Sequence, residues 1–404
     1  MRKILCIILI ATFTFIINAQ AQSNTDTTKQ VVAKKNWYES VSIRGYSQIR
    51  YNRLMETNSL LGCESCDRSW GEGGGVFIRR MRIIFFGKLN DHVSFYVQPD
   101  LASNAGTGNL HFAQLRDAYF DVSVDQKGEF RFRIGQSKVP YGFMNLQSSQ
   151  NRLPLDRDDA LNSAVSNERD LGLFFYWAPQ KTRKLFSSLV ADGLKGSGDY
   201  GVFGFGAYNG QTANKADGNK DLHYVTSITY PFQIGNQIIE PGVQAYTGRY
   251  VVTKDQQSAG VKTTWNANYD DQRIAAHLVL YPKPFGITAE YTVGKGPEFN
   301  TVSDSIETQD LQGGYIMLSY LQKFGKHVLI PFSRIQYYDG GKKHERDARS
   351  YKVNEIESGF EWQFTPNFEL VATYVVSSRR YEDFAKQTNH QKGRLLRLQA
   401  QVNF

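Results

Sequence analysis

The sequence predicts an all-β fold: a 16-stranded antiparallel transmembrane β-barrel with short turns at one end, long loops at the other and an inward-folded third loop. Three observations carry this expectation. The last nine residues alternate, with Leu396, Leu398, Ala400, Val402 and Phe404 on one face and Arg397, Gln399, Gln401 and Asn403 on the other. That is the period of a strand with one apolar face, which needs either a second sheet or lipid to cover it. Strand-like segments fill almost the whole chain from Trp37 onward, and none holds a 3.6-residue apolar period for more than about two turns. The breaks between segments alternate in length, short then long, as in a barrel that meets different surroundings at its two ends.

Arg2 and Lys3 open the chain, Ile4 to Ile17 are apolar, and Ala19-Gln20-Ala21 reads as a cleavage site. Residues 1–21 are therefore expected to be a secretory signal whose apolar core is too short to persist as a spanning helix. The mature chain is expected to run 383 residues (404 less 21) from Gln22. Residues 22–36 are polar, lack aromatics and read as a flexible periplasmic lead-in. Residues 37–404 form the expected barrel domain.

In the first strand, Val41, Ile43 and Ile49 oppose Arg44, Tyr46, Gln48 and Arg50. In the second, Met81, Ile83 and Phe85 oppose Arg80, Arg82 and Ile84, and in the third Val93, Phe95 and Val97 oppose Ser94, Tyr96 and Gln98. In the fifth, Phe130, Phe132 and Ile134 oppose Arg131, Arg133 and Gly135. Short breaks fall at Asn90-Asp91, Asp125 to Gly128, Pro282 to Pro284, Gly325-Lys326 and Pro366-Asn367. Long ones fall at Met55 to Gly75, Ser103 to Asn109, Phe143 to Asn167, Gln211 to Lys220, Thr253 to Thr263, Pro297 to Asp310, Gly340 to Arg349 and Tyr381 to Gly393. The short set is expected to be periplasmic and the long set extracellular. The count is 16 or 17, with a doubtful pair between Lys184 and Asn209; two termini on one side require an even number, hence 16. Side chains cannot fill a barrel of that width, so an aqueous channel is expected.

The polar faces supply the candidate site. Arg44, Arg50, Arg80, Arg82, Arg131, Arg133 and Arg397 lie on them, with Lys138 and Arg116 less clear by register. Such a lining lowers the energy of anions in a pore and raises that of cations. The alternative is that these groups pair with Asp117, Asp121 or Glu129 and stiffen the wall. Phe143 to Asn167 is the expected constriction, since Leu153, Pro154 and Leu155 can pack inside a barrel. Its charged residues are Arg152, Asp156, Arg157, Asp158 and Asp159. The acidic run lacks an EF-hand spacing and reads as solvated or wall-paired, so no metal and no cofactor is expected. Cys63 and Cys66 read as a loop disulfide in an oxidising compartment, as a redox or metal pair, or as two free thiols.

The net charge of +8 falls to +6 without Arg2 and Lys3 and favours anionic partners in general. No zinc-finger spacing, helix-turn-helix pattern or lysine-rich tail points to nucleic acid. Seven scattered histidines and the absence of a G-x-S-x-G elbow give no catalytic constellation, so no enzyme is expected.

Gly135-Gln136-Ser137-Lys138-Val139-Pro140-Tyr141-Gly142 resembles the G-Q-x-K-x-P-[FY]-G segment of the phosphate-selective porin O and P family. Arg79-Arg80-Met81-Arg82, Asp117-Ala118-Tyr119, Arg169-Asp170-Leu171-Gly172 and Tyr208-Asn209-Gly210 resemble that family's R-R-x-R, D-A-Y, R-D-[IL]-G and N-G motifs, in the same order. The final strand ending on Phe404 resembles the closing strand of bacterial outer-membrane barrels. The resemblance implies an outer-membrane porin, usually a homotrimer, with an arginine-lined channel, lipid around it and the barrel assembly machinery as a partner. The phosphate-specific members carry lysines and arginines at the constriction, whereas Phe143 to Asn167 holds only Arg152 and Arg157. The expected function is passive diffusion of small hydrophilic solutes, favouring anions such as phosphate. Alternatives are a sugar or general porin, with Tyr46, Tyr96 and Tyr119 as stacking surfaces, and a secreted β-sandwich binder.

Overall fold

The computed structural model describes residues 36–64, 66, 70, 74–102 and 111–404. The expected signal, the lead-in up to residue 35, part of the first long loop and the whole of the second lie outside the described residues. Eighteen extended runs form one closed antiparallel sheet. Phe232–Ile234 continues the strand before it beyond Pro231, which has no N–H to give the ladder, and Gln322–Phe324 continues another past Leu321. Sixteen strands result. They are β1 (Ser42–Leu54), β2 (Gly75–Lys88), β3 (Val93–Ala102), β4 (Phe112–Ser123), β5 (Phe130–Lys138), β6 (Arg169–Trp177), β7 (Phe203–Tyr208) and β8 (His223–Thr229, continued). They go on through β9 (Gln237–Val251), β10 (Asn268–Leu280), β11 (Phe285–Asn300), β12 (Ser305–Tyr320, continued), β13 (His327–Gly341), β14 (Ser350–Thr365), β15 (Phe368–Glu382) and β16 (His390–Asn403).

Each strand pairs with its sequence neighbours, and β1 closes on β16 with Ser47 opposite Val402 and Ile49 opposite Ala400. The seam ends on two backbone bonds, Gly45 N to Phe404 O at 2.7 Å and Phe404 N to Gly45 O at 2.9 Å. Gly45 is required there: a Cβ would stand 2.6 Å from the Phe404 ring.

Alternation along the strands produces an inverted molecule. Ile274, Ile316 and Ile335 are 56–61 % exposed, while their sequence neighbours Arg273, Tyr315 and Arg334 are 1–3 % exposed. A soluble fold would reverse this. An exposed apolar band around a polar interior is the arrangement a bilayer demands of a barrel.

The wall is uneven. Strands β9 to β15 are 13 to 16 residues long, whereas β5 and β6 have 9, β7 has 6 and β8 has 7 before its break. Two expectations are corrected here. Pro297 to Asp310 is not a long loop, because Pro297 pairs with Thr308 and Phe299 with Ile306, leaving only residues 301–304 as the turn. Phe299 and Ile306 are buried, and Ile306 packs in an apolar cluster with Tyr250, Val252, Ala267, Tyr269 and Ala348, which draws both strands out beyond their neighbours.

The second correction concerns Lys184 to Asn209. Instead of a strand pair, this region carries α3 (Gln180–Ala191) and then β7. Thr182, Phe186 and Leu189 form its buried face at i, i+4 and i+7. Pro179 stands at its start, and Gly193 follows its C-cap at φ +71°. Residues 178–202 therefore form a long connection at the end where all other turns are short.

Candidate functional site

The β5–β6 connection enters the barrel and crosses it. It leaves β5 at Lys138 and forms α1 (Phe143–Leu146), whose first amides donate to Glu290 on the far wall, Phe143 N at 2.5 Å and Met144 N at 3.1 Å. A carboxylate at those unsatisfied N–H groups anchors the turn. The segment then returns to β1, where the Tyr46 hydroxyl meets Ser149 Oγ at 2.6 Å and Gln48 Nε2 donates to Ser149 O at 3.1 Å. Farther on, α2 (Asp159–Asn162) is capped by Asp158, which accepts from Leu161 N at 3.0 Å. Burial raises the Asp158 carboxyl to about 6.

The acidic run is divided among different walls. Asp156 binds Arg397 Nη1 at 2.6 Å, with Arg50 at 3.7 Å, and these cations hold its carboxyl well below the usual range despite burial. Asp159 binds Arg379 at 3.0 Å and Lys342, and Asp158 serves the helix backbone. The three carboxylates act as separate tethers of the loop.

At the end of this loop sits Glu168, directly before β6. Four guanidinium groups surround it: Arg157 at 3.2 Å, Arg116 at 3.5 Å, Arg152 at 3.6 Å, and Arg169 in direct contact. Burial works against its charge, yet Arg157, Arg169, Lys138 and Arg152 hold the carboxyl well below its ordinary range. Arg169 also grips Asp117 with Nη2 at 2.9 Å. The cluster keeps an excess of positive charge. Nε of Arg116 and both Nε and Nη1 of Arg152 are buried with no protein hydrogen-bond acceptor.

The sequence-named residues fall into two groups. All of Arg50, Arg80, Arg82, Arg131, Arg133, Lys138 and Arg397 are buried on the inner wall, and Arg44 is exposed near one mouth. Arg82 pairs with Asp100 at 2.8 Å, Arg133 with Asp121 at 2.7 Å, and Arg131 with Asp199 at 2.8 Å. Arg397 also reaches Glu357 at 2.7 Å, and Arg50 donates to Gln399 at 2.5 Å. These arginines brace the wall as well as line it. Arg80 donates to Gln48 at 2.8 Å, and Lys138 to the carbonyls of Leu146 and Gln147 at 2.9 and 2.6 Å. Among the described residues, Arg44, Arg80 and Lys138 make no ion pair. Of the acidic partners considered from sequence, Asp121 takes Arg133 and Asp117 takes Arg169, while Glu129 accepts instead from Gln180 N at 3.0 Å. Cys63 and Cys66 are joined, with Cys63 Sγ 3.7 Å from Arg379 Nη1.

Sequence reasoning missed Glu168 as the focus, the partner role of Asp100 and the whole 178–202 segment. Helix α3 packs Phe186 and Leu189 with Phe143, Ile238 and Val279 at the short-turn mouth. Between this segment, the crossing loop and the β1–β5 wall lies a cavity of 260 Å³, lined by Arg44, Tyr96, Tyr119, Arg133, Lys138 and Arg169 among others.

Residues 64–404 match the sequence profile of the family described as phosphate-selective porin O and P. Comparison with curated proteins gives no match. Among solved structures, the chain is similar to the outer membrane channel DcaP of Acinetobacter baumannii, at 14 % identity and a TM-score of 0.55, over 92 % of this chain and 100 % of that one. It is similar to Salmonella typhi OmpF in complex with daunomycin, at 14 % identity and a TM-score of 0.55, over 90 % of this chain and 97 % of that one. An anion-selective porin from Comamonas acidovorans aligns at 11 % identity and a TM-score of 0.53, over 90 % of this chain and 99 % of that one. At these identities the likeness is one of fold.

Proposed function

The chain belongs to the phosphate-selective porin O and P family, and from that premise we propose that this outer-membrane porin passes small hydrophilic solutes with a preference for anions. The observation that carries the preference is the Glu168 cluster, where four arginines share one carboxylate. The cluster carries more positive than negative charge, and that excess lowers the energy of an anion in the pore beside it. Lys138 and Arg80 add charge with no carboxylate of their own. Because the crossing loop brings these groups together inside the barrel, salt screening over ~8 Å does not cancel them. Inorganic phosphate is one solute of this class. We place the short-turn end in the periplasm.

The test is reversal potential in a planar bilayer under a potassium chloride gradient, followed by added phosphate. Chloride preference supports the reading, and cation preference overturns it.

We further read the assembly as a homotrimer whose contacts include the low wall. Six residues at ~3.4 Å each, tilted by about 45°, rise only ~14 Å against an apolar band of ~25 Å. A wall of that height suits a protein neighbour better than lipid. Phe130, Phe132, Phe175 and Phe203 form a continuous aromatic patch on its outer face, with ring separations of 5.3 to 6.5 Å.

A further inference from the structure

The inner wall near the short-turn mouth carries an aromatic stack covered at one end by a cation. Tyr96 on β3 and Tyr119 on β4 are paired across the ladder and lie parallel, with centroids 5.2 Å apart and 10° between planes. Arg133 on β5 covers Tyr119 from the other neighbouring strand, 4.0 Å from its centroid. Both faces of Tyr119 are thus occupied, and the free end of the stack is Tyr96, which is half-buried and lines the 260 Å³ cavity. Arg44 and Lys138, neither of them ion-paired, line the same cavity.

We propose that this cavity is a binding site for solutes that combine a single six-membered ring with one anionic group, such as a sugar acid. This rests on the porin reading above and names the solute class its pore retains. The ring stacks on Tyr96, and the charge meets Arg44 or Lys138. An aromatic face within reach of a cation suits such a solute better than either half alone, since ring stacking and charge pairing are then both made. Size argues the same way. The volume corresponds to roughly nine waters at ~30 Å³ each, which a single-ringed solute fills and a lone tetrahedral oxyanion does not. Tyr46, the other tyrosine of the inner wall near β2, is unavailable: it is 1 % exposed and its hydroxyl is held by Arg82 at 2.7 Å and by Ser149.

The experiment compares three probes on full-length channels in a planar bilayer: glucuronate, glucose and inorganic phosphate. Glucuronate is expected to block the chloride current at a concentration about five- to tenfold lower than either of the others. Tyr96→Ala should remove that advantage while leaving phosphate block and reversal potential unchanged, and Tyr96→Phe should restore it. Equal block by glucuronate and phosphate, or equal loss of both in Tyr96→Ala, overturns the site. A folded barrel that carries no current overturns the porin reading instead. Calorimetric titration of the same three solutes into the detergent-solubilised barrel then still decides the site, with tighter glucuronate binding lost in Tyr96→Ala as the supporting result.

Discussion

The Lys195 ammonium lies 2.6 and 2.7 Å from the two carboxylate oxygens of Glu361, and the pair joins the 178–202 connection to the inner face of β14 on the other side of the lumen. Lys195 also sits beside the crossing loop, since its carbonyl accepts from Gln147 Nε2 at 2.6 Å. The connection that carries α3 is therefore latched both to the wall and to the constriction. Breaking a buried pair by removing one partner costs about 3–5 kcal/mol. Glu361→Gln and Lys195→Met should each release the segment from the mouth and raise single-channel conductance, with the double variant less perturbed than the sum. Unchanged conductance in all three would show that the segment does not obstruct the path.

Arg80 and Arg82 stand two residues apart on one face yet differ in what holds them. Arg82 is paired with buried Asp100, while Arg80 bonds only the neutral Gln48. Arg80→Gln is expected to lower anion preference, read as a shift in reversal potential, with little change in unfolding. Arg82→Gln removes the direct partner of buried Asp100 and should cost about 3–5 kcal/mol, read from urea unfolding in lipid vesicles. Equal stability of the two variants would contradict the division between bracing and lining arginines.

The barrel was legible in the sequence because its wall is periodic: each strand announces its two faces every second residue, and Arg80, Arg82, Arg131 and Arg133 indeed share the inner face. What was not legible depends on distance in the fold. The partners Asp100 for Arg82, Asp199 for Arg131 and Glu357 for Arg397 come from other strands or connections, and no local pattern pairs them. Glu168 becomes a focus only because the loop carries Arg152 and Arg157 back to it. Helix α3 did have local signals, Pro179, Gly193 and the spacing of Phe186 and Leu189. Its short apolar stripe was outweighed by strand-like neighbours on both sides.

Asp158 supplies a pH test of the crossing loop. Its carboxyl is raised to about 6 from an ordinary 3.8, chiefly by burial. A raised carboxyl favours the folded loop while protonated, so this contribution is full below pH 3.8 and is lost as pH rises through 6. Hydrogen exchange at the Leu161 amide, which donates to Asp158, should therefore slow as pH falls from 7 to 4.5 once corrected for intrinsic chemistry. Asp158→Asn keeps the cap without the charge and should flatten the difference. A variant with the same residual pH dependence would assign it to another group.

The low wall gives a test that separates protein cover from lipid cover. Phe132 on β5 and Ile316 on β12 both face outward, at 38 % and 58 % exposure. Arginine at a lipid-facing midplane position costs about 2–4 kcal/mol of insertion. On the tall wall, Ile316→Arg should impair insertion and leave any assembled fraction trimeric. On the low wall, the homotrimer reading puts the same charge against a neighbouring copy across a desolvated contact. Phe132→Arg should then yield folded barrels that migrate as monomers on mild native gels. The two variants thus fail at different steps, one at the membrane and one at association. If both lose insertion and neither dissociates, lipid rather than a second copy covers β4 to β7, and the six-residue strand β7 must then be accommodated by local thinning of the bilayer.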